Sequence, residues 1–86
     1  MGDIRESIRV RWSREMGGEW MGQYTLGTER PNILFCVISR PGGRGRDWAA
    51  KYLATPIVVA LPSLRNGKAW AMRMLRADLL HRESKA

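Results

Sequence analysis

Ile8, Val10 and Trp12 alternate with Arg9 and Arg11, so one side of this stretch is apolar and the other charged, which is the period of a half-buried strand. The pattern predicts a first strand over about residues 4–13. Glu15-Met16-Gly17-Gly18 then supplies turn residues, two of them glycines able to take positive φ, and a second alternating run follows over 19–26. Trp20, Gly22, Tyr24 and Leu26 share its inner face. After a loop rich in Gly, Pro and Asn, residues 33–39 read Ile-Leu-Phe-Cys-Val-Ile-Ser, apolar at successive positions. This predicts the middle strand of the sheet, covered on both sides. Trp48, Ala50 and Tyr52 alternate with Ala49, Lys51 and Leu53, predicting a strand over 47–53, although the alanines also suit a short helical turn. Ile57 to Leu61, bracketed by Pro56 and Pro62, predicts a short edge strand, where a missing amide hydrogen does least harm.

At Ser63 the period changes from two to 3.6. Its hydroxyl is suited to cap the first turn of a helix over about 64–80, with 81–86 as a frayed tail. Steps of about 100° put Leu64, Ala71, Met72, Met74, Leu75 and Leu79 on one arc, and Arg65, Asn66, Arg73 and Arg76 opposite. Gly67 falls on the inner arc, which predicts close approach to the sheet. Lys68 lies there too and must snorkel. Asp78 also faces inward, so an ion pair with Lys68 or an inward-reaching arginine is expected. The expected architecture is α+β: a small curled antiparallel sheet of four or five strands covered by one C-terminal helix.

Eighty-six residues allow one core, so residues 1–86 are expected to form a single domain. A hydrophobic share of 44% and a charged share of 27% are ordinary for a folded domain and argue against a wholly disordered basic tail. The longest nearly apolar stretch, Leu53 to Leu61, is far short of the roughly 20 residues a membrane-crossing helix needs. The first ten residues mix charges of both signs and form no apolar leader, and the single cysteine, Cys36, permits no intrachain disulfide. A cytoplasmic protein without membrane attachment is the expectation.

Charge changes the picture most. The formal net charge is +7, and twelve of the fifteen basic residues are arginine, a bias that favours bidentate recognition of anions but also follows from genome base composition. Eight of the twelve arginines fall into an outward strand pair (Arg9, Arg11), a helix stripe (Arg65, Arg73, Arg76) and the loop Arg40-Pro41-Gly42-Gly43-Arg44-Gly45-Arg46. Glycines expose backbone amides and interleaved arginines offer planar forks to phosphate oxygens, so Arg40, Arg44 and Arg46 are the sharpest candidates. The same loop also reads as a flexible hairpin with solvated charges. It lacks both the phosphate-loop pattern ending in Lys-Ser/Thr and a following helix, so no nucleotide cofactor is expected.

Trp12, Trp20 and Tyr24 belong to the inner face, which argues against a base-stacking platform beside Arg9 and Arg11. Trp48, next to the glycine loop, is the aromatic expected to join a partner site, and Trp70 at the margin of the helical arc packs against a loop or anchors an interface. His81 is remote in sequence from Cys36, no metal-ligand spacing occurs, and the carboxylates are scattered. No enzyme, metal or cofactor is therefore expected.

Three functional classes suit these residues. The first is a non-enzymatic basic module that engages a nucleic-acid backbone through Arg9, Arg11, Arg40, Arg44, Arg46, Trp48, Arg65, Arg73 and Arg76. The second is a small virus-encoded inhibitor of the anti-CRISPR kind, or another accessory protein, that binds an acidic surface of a host nucleic-acid-handling complex. A ribosomal or virion component is a third. The edge strand leaves the protein a monomer or a weak homodimer.

Overall fold

The alternating runs become strands whose inner residues meet one amphipathic helix. The structure is a computed structural model that describes residues 8–27, 32–40 and 47–85. Strand β1 (Ile8–Arg14) turns back into β2 (Trp20–Leu26) through Glu15–Glu19, closed by the Glu15 amide donating to the Glu19 carbonyl at 2.7 Å. Gly18 takes φ of 83° within this turn, a conformation that side chains with a Cβ rarely adopt. β3 (Ile33–Ser39), β4 (Trp48–Tyr52) and β5 (Val58–Leu61) follow. All neighbours are antiparallel and the order is β1-β2-β3-β4-β5, an open meander with β1 and β5 as its edges. Residues 48–52 therefore take the strand alternative rather than the helical turn. The first strand begins at Ile8 among the described residues, so the expected positions 4–7 lie outside them.

Helix α1 (Leu64–Lys85) begins where the cap chemistry placed it: the Asn66 amide donates to Ser63 Oγ at 3.1 Å. It runs to Lys85, so the expected frayed tail from His81 is instead helical. Asp78 and Arg82, one turn apart, form an ion pair at 2.8 Å, and Ser84 Oγ donates to the His81 carbonyl at 2.9 Å. With no Gly or Pro between His81 and Lys85, nothing in the local sequence ends the helix earlier.

The helix lies over β3, β4 and β5. The residues removed from solvent are Tyr24, Phe35, Cys36, Ile38, Ala50, Tyr52, Ala71, Leu75 and Leu79. Gly67 allows the close approach its position predicted, since a Cβ there would sit 3.2 Å from Ile38. β3 is the middle strand, but the expectation that both its faces are covered is wrong. α1 covers one face, no described element covers the other, and Ile33 and Leu34 are exposed. The consecutive burial of Phe35 and Cys36 comes instead from a bulge: Gly22 pairs with Cys36 and Gln23 with Leu34, leaving Phe35 as the extra residue. Two successive side chains thus enter one core, which an alternation rule cannot anticipate.

Candidate functional site

The structure distributes the candidate arginines over separate surfaces. Arg9 and Arg11 are exposed on β1, paired with Thr25 and Gln23 of β2, and point to the face away from α1. Lys51 joins them on that open face through the row Ser13, Met21, Val37, Lys51 and Val58. Between these cations lie Met21, Leu34 and Val37, of which Leu34 is exposed, and Val58 is exposed beyond Lys51 on the edge strand. Strand parity leaves this face without an aromatic ring, because Trp12, Trp20, Tyr24, Trp48 and Tyr52 all lie on the helix side. Base stacking has no platform there.

Arg65, Arg73 and Arg76 are exposed on the outer side of α1. The sheet and the body of the helix separate them from Arg9 and Arg11, so one continuous site made of both sets does not form. Along the axis, Arg65 and Arg73 are eight residues apart, or about 12 Å, and Arg76 is about 4.5 Å further. None of the three makes an ion pair among the described residues, whereas Arg82 is held by Asp78. The helix therefore presents three cations outward with no described carboxylate to neutralise them.

Arg40 and Trp48 do come together. They flank the glycine-rich loop, and the Arg40 guanidinium carbon lies 5.4 Å from the centre of the Trp48 ring. Arg44 and Arg46 lie outside the described residues. Trp48 and Trp70 are both half-buried and pack against the core.

Lys68 has a role that helical periodicity only partly indicated. Its Nζ sits 4.2 Å from the Trp20 ring centre and 5.3 Å from that of Trp12, so the snorkelling amine ends on two indole faces. The signal was present in the inward Lys68 and the inward tryptophans, but their meeting depended on which side of the helix faces β1 and β2. Asp78 takes the arginine rather than the Lys68 alternative, and adds a phenol that the sequence did not indicate. Its Oδ2 accepts from Tyr52 Oη at 2.7 Å and from Arg82 Nη2 at 2.8 Å. Burial, together with the bond to Asp78 and its negative charge, raises the Tyr52 phenol well above its ordinary value.

Beside this network a shallow cleft of about 310 Å³ is lined by Tyr24, Ile33, Leu34, Phe35, Tyr52, Leu53, Ala54 and Arg82. It brings together no nucleophile and base: its polar groups are two phenols and a guanidinium. Cys36 is fully buried, and desolvation pushes its thiol up to about 12, so it supplies no thiolate at neutral pH. Among the described residues no group of three or more His, Cys, Asp or Glu is placed to hold a metal ion, and no helix is long and apolar enough to cross a membrane.

No protein-family model, curated protein or solved structure matches this chain.

Proposed function

We propose that the protein is a non-enzymatic binding module that engages a nucleic-acid backbone through the outer face of α1. The observation that carries this reading is the exposed set Arg65, Arg73 and Arg76 on one helix, none of them in an ion pair among the described residues. Guanidinium forks held about one to two turns apart suit phosphate oxygens, and neutralising a polyanion releases its condensed counterions. Three phosphate contacts to duplex DNA give log K a slope of about −2.7 against log salt. The test is equilibrium binding to duplex DNA and to RNA from low to high salt, for the wild type and for a variant with Arg65, Arg73 and Arg76 replaced by Ala. The variant is expected to keep its helical circular dichroism and lose most of the affinity and the salt slope. Wild-type binding that ignores salt, or a variant that binds as well, rules the reading out.

The open sheet face favours a second reading, an inhibitor or accessory protein docked on an acidic protein surface. Arg9 and Arg11 on one side and Lys51 on the other flank Met21, Val37 and the exposed Leu34, apolar side chains between cations. Retention of one stoichiometric protein complex from nuclease-treated bacterial extract, abolished by replacing Arg9 and Arg11 with Ala but not by the helix variant, selects this reading over the first.

A further inference from the structure

We propose that β5 is a homodimerisation edge, at which two copies of the chain join antiparallel through Val58 and Ala60 about a two-fold axis at Val59, making one continuous sheet with both helices on the same face. The inference does not depend on what α1 binds.

The two edges of the meander differ in charge. β1 carries Arg9, Arg11 and Arg14 within seven residues, whereas Val58–Leu61 of β5 carries no charge at all. On a chain of net charge +7, a second copy brings the same excess, so pairing β1 with β1 opposes arginines. Pairing β1 with β5 of another copy is head-to-tail and leads to open chains. Only β5 against β5 closes a two-fold assembly without apposing like charges. The edge also lacks the Lys, Pro or bulge within the strand that natural sheets use to block such pairing, and Val58 is 57% and Ile57 42% exposed.

The hydrogen-bond phase of β4 and β5 then selects a register. Lys51 stands opposite Val58, and the next pair, Tyr52 and Ile57, is bonded, the Tyr52 amide donating to the Ile57 carbonyl at 3.3 Å. In an antiparallel ladder bonded and non-bonded pairs alternate, so Ala50–Val59 and Trp48–Leu61 are bonded as well. Val58 and Ala60 must therefore direct their N–H and C=O groups away from β4. These four groups on one edge are self-complementary. With Val58 opposite Ala60 of the second copy, each residue exchanges two backbone bonds with its partner, and the two-fold axis passes between the two Val59 residues.

Over the turns from Trp70 to Ala77 the flank of the helix above this edge also carries no charged side chain, with His81 following in the next turn. Lys68 marks the flank facing β1 and β2, and Trp70, two residues or about 200° onward, lies on the flank over β5. Met74 and Ala77 continue that flank, with Trp70 and Met74 half-buried and packed against the core. An axis normal to the sheet sets the two helices antiparallel with these flanks facing each other. Arg65, Arg73 and Arg76 of both copies remain outward on one side of the assembly.

The test measures mass by sedimentation equilibrium without nucleic acid, so its failure leaves the helix-face reading standing on its own. The wild type is expected to approach twice 9.8 kDa as concentration rises. Ala60→Pro removes an amide hydrogen that no intrachain ladder bond uses, and Val58→Lys adds a charge to the edge. Both variants are expected to stay at single-chain mass with unchanged circular dichroism. Register is read by oxidation: Val59→Cys brings two thiols together at a non-bonded pair with Cα atoms about 4.5 Å apart and is expected to cross-link about tenfold faster than Val58→Cys. Cys36, fully buried, does not compete. Single-chain wild-type mass at every concentration, a dimer that both edge variants leave intact, or equal cross-linking of the two cysteine variants would overturn the proposal.

Discussion

On the helix side, β3, β4 and β5 are covered by α1, whereas β1 and β2 extend past it. The residues with no solvent exposure, Cys36, Ile38, Ala50, Ala71 and Leu75, all belong to β3, β4 or the helix. β1 contributes none, and its inward Ile8, Val10 and Trp12 are only half-buried. The reason is dimensional. A helix about 10–12 Å across spans two or three strands spaced about 4.8 Å apart, so it cannot roof five. Large side chains close the remainder. The Trp12 ring packs over Gly22, Phe35 makes edge-to-face contacts with Trp12 and Tyr24 at 5.8 Å, and Lys68 caps Trp12 and Trp20. One half of the sheet is held by burial under a helix, the other by aromatic packing and a single amine.

Truncating one side chain in each half should separate these two modes most strongly. Ile38→Ala, beneath the helix and against Gly67, is expected to destabilise by about 2–5 kcal/mol, and Val10→Ala in β1 by no more than about 1 kcal/mol. Urea titrations of both variants measure the gap, and equal losses would mean that the hairpin is as much a part of the core as β3. Next in size is Gly22→Ala. Its Cβ would meet Cys36 Sγ at 2.7 Å and a Trp12 ring carbon at 2.8 Å, so the hairpin must shift, at about 1–3 kcal/mol. Tryptophan fluorescence should change with it, because Trp12 is the movable neighbour.

Alkaline pH loads the helix-covered half. The folded state raises the Cys36 thiol from 9.0 to about 12, so below pH 9 the thiol is neutral whether folded or not and stability is undiminished. Above pH 9 the unfolded chain loses the proton first. Stability should then fall by up to about 1.4 kcal/mol per pH unit as the pH climbs toward 12, with Tyr52 adding to the loss at the upper end. Unfolding followed from pH 8 to 11 for the wild type and Cys36→Ala measures this, and a slope unchanged between pH 9 and 10 in the variant would remove Cys36 as the cause. The smallest effect belongs to the hairpin: Lys68→Ala should lose about 0.5–1 kcal/mol, with a red shift of tryptophan emission as both rings gain solvent. Lys68→Met, which keeps the stem, should recover part of the stability if packing rather than charge holds the rings.

Much of the fold was legible. The alternation of Ile8, Val10 and Trp12, the two glycines of the first turn and Ser63 ahead of the Leu/Met arc are local signals, and each gives the element it predicts. Two features were hidden for a physical reason. The Phe35 bulge breaks the period of two because β3 must match β2 over an uneven register, and the helix continues past residue 80 through contacts made by Asp78 and Arg82. The candidate site was less legible. Arg9, Arg11, Arg65, Arg73 and Arg76 were each assigned to the outside of their own element, yet the first two and the last three face opposite sides of the molecule. Arg44 and Arg46, the residues the sequence ranks highest, lie outside the described residues.

The sequence by itself determined which side of β1, β2 and α1 turns inward, because side-chain period is a property of the local backbone and hydrophobic residues select the buried side. It also determined the excess of positive charge. Only the tertiary structure decided which outward sides are neighbours: that Lys68 ends on two tryptophans, and that the strand arginines and helix arginines are separate surfaces. Those relations depend on strand order and on where one helix lies across five strands. Contacts between residues distant in the chain set both, and no local period encodes them.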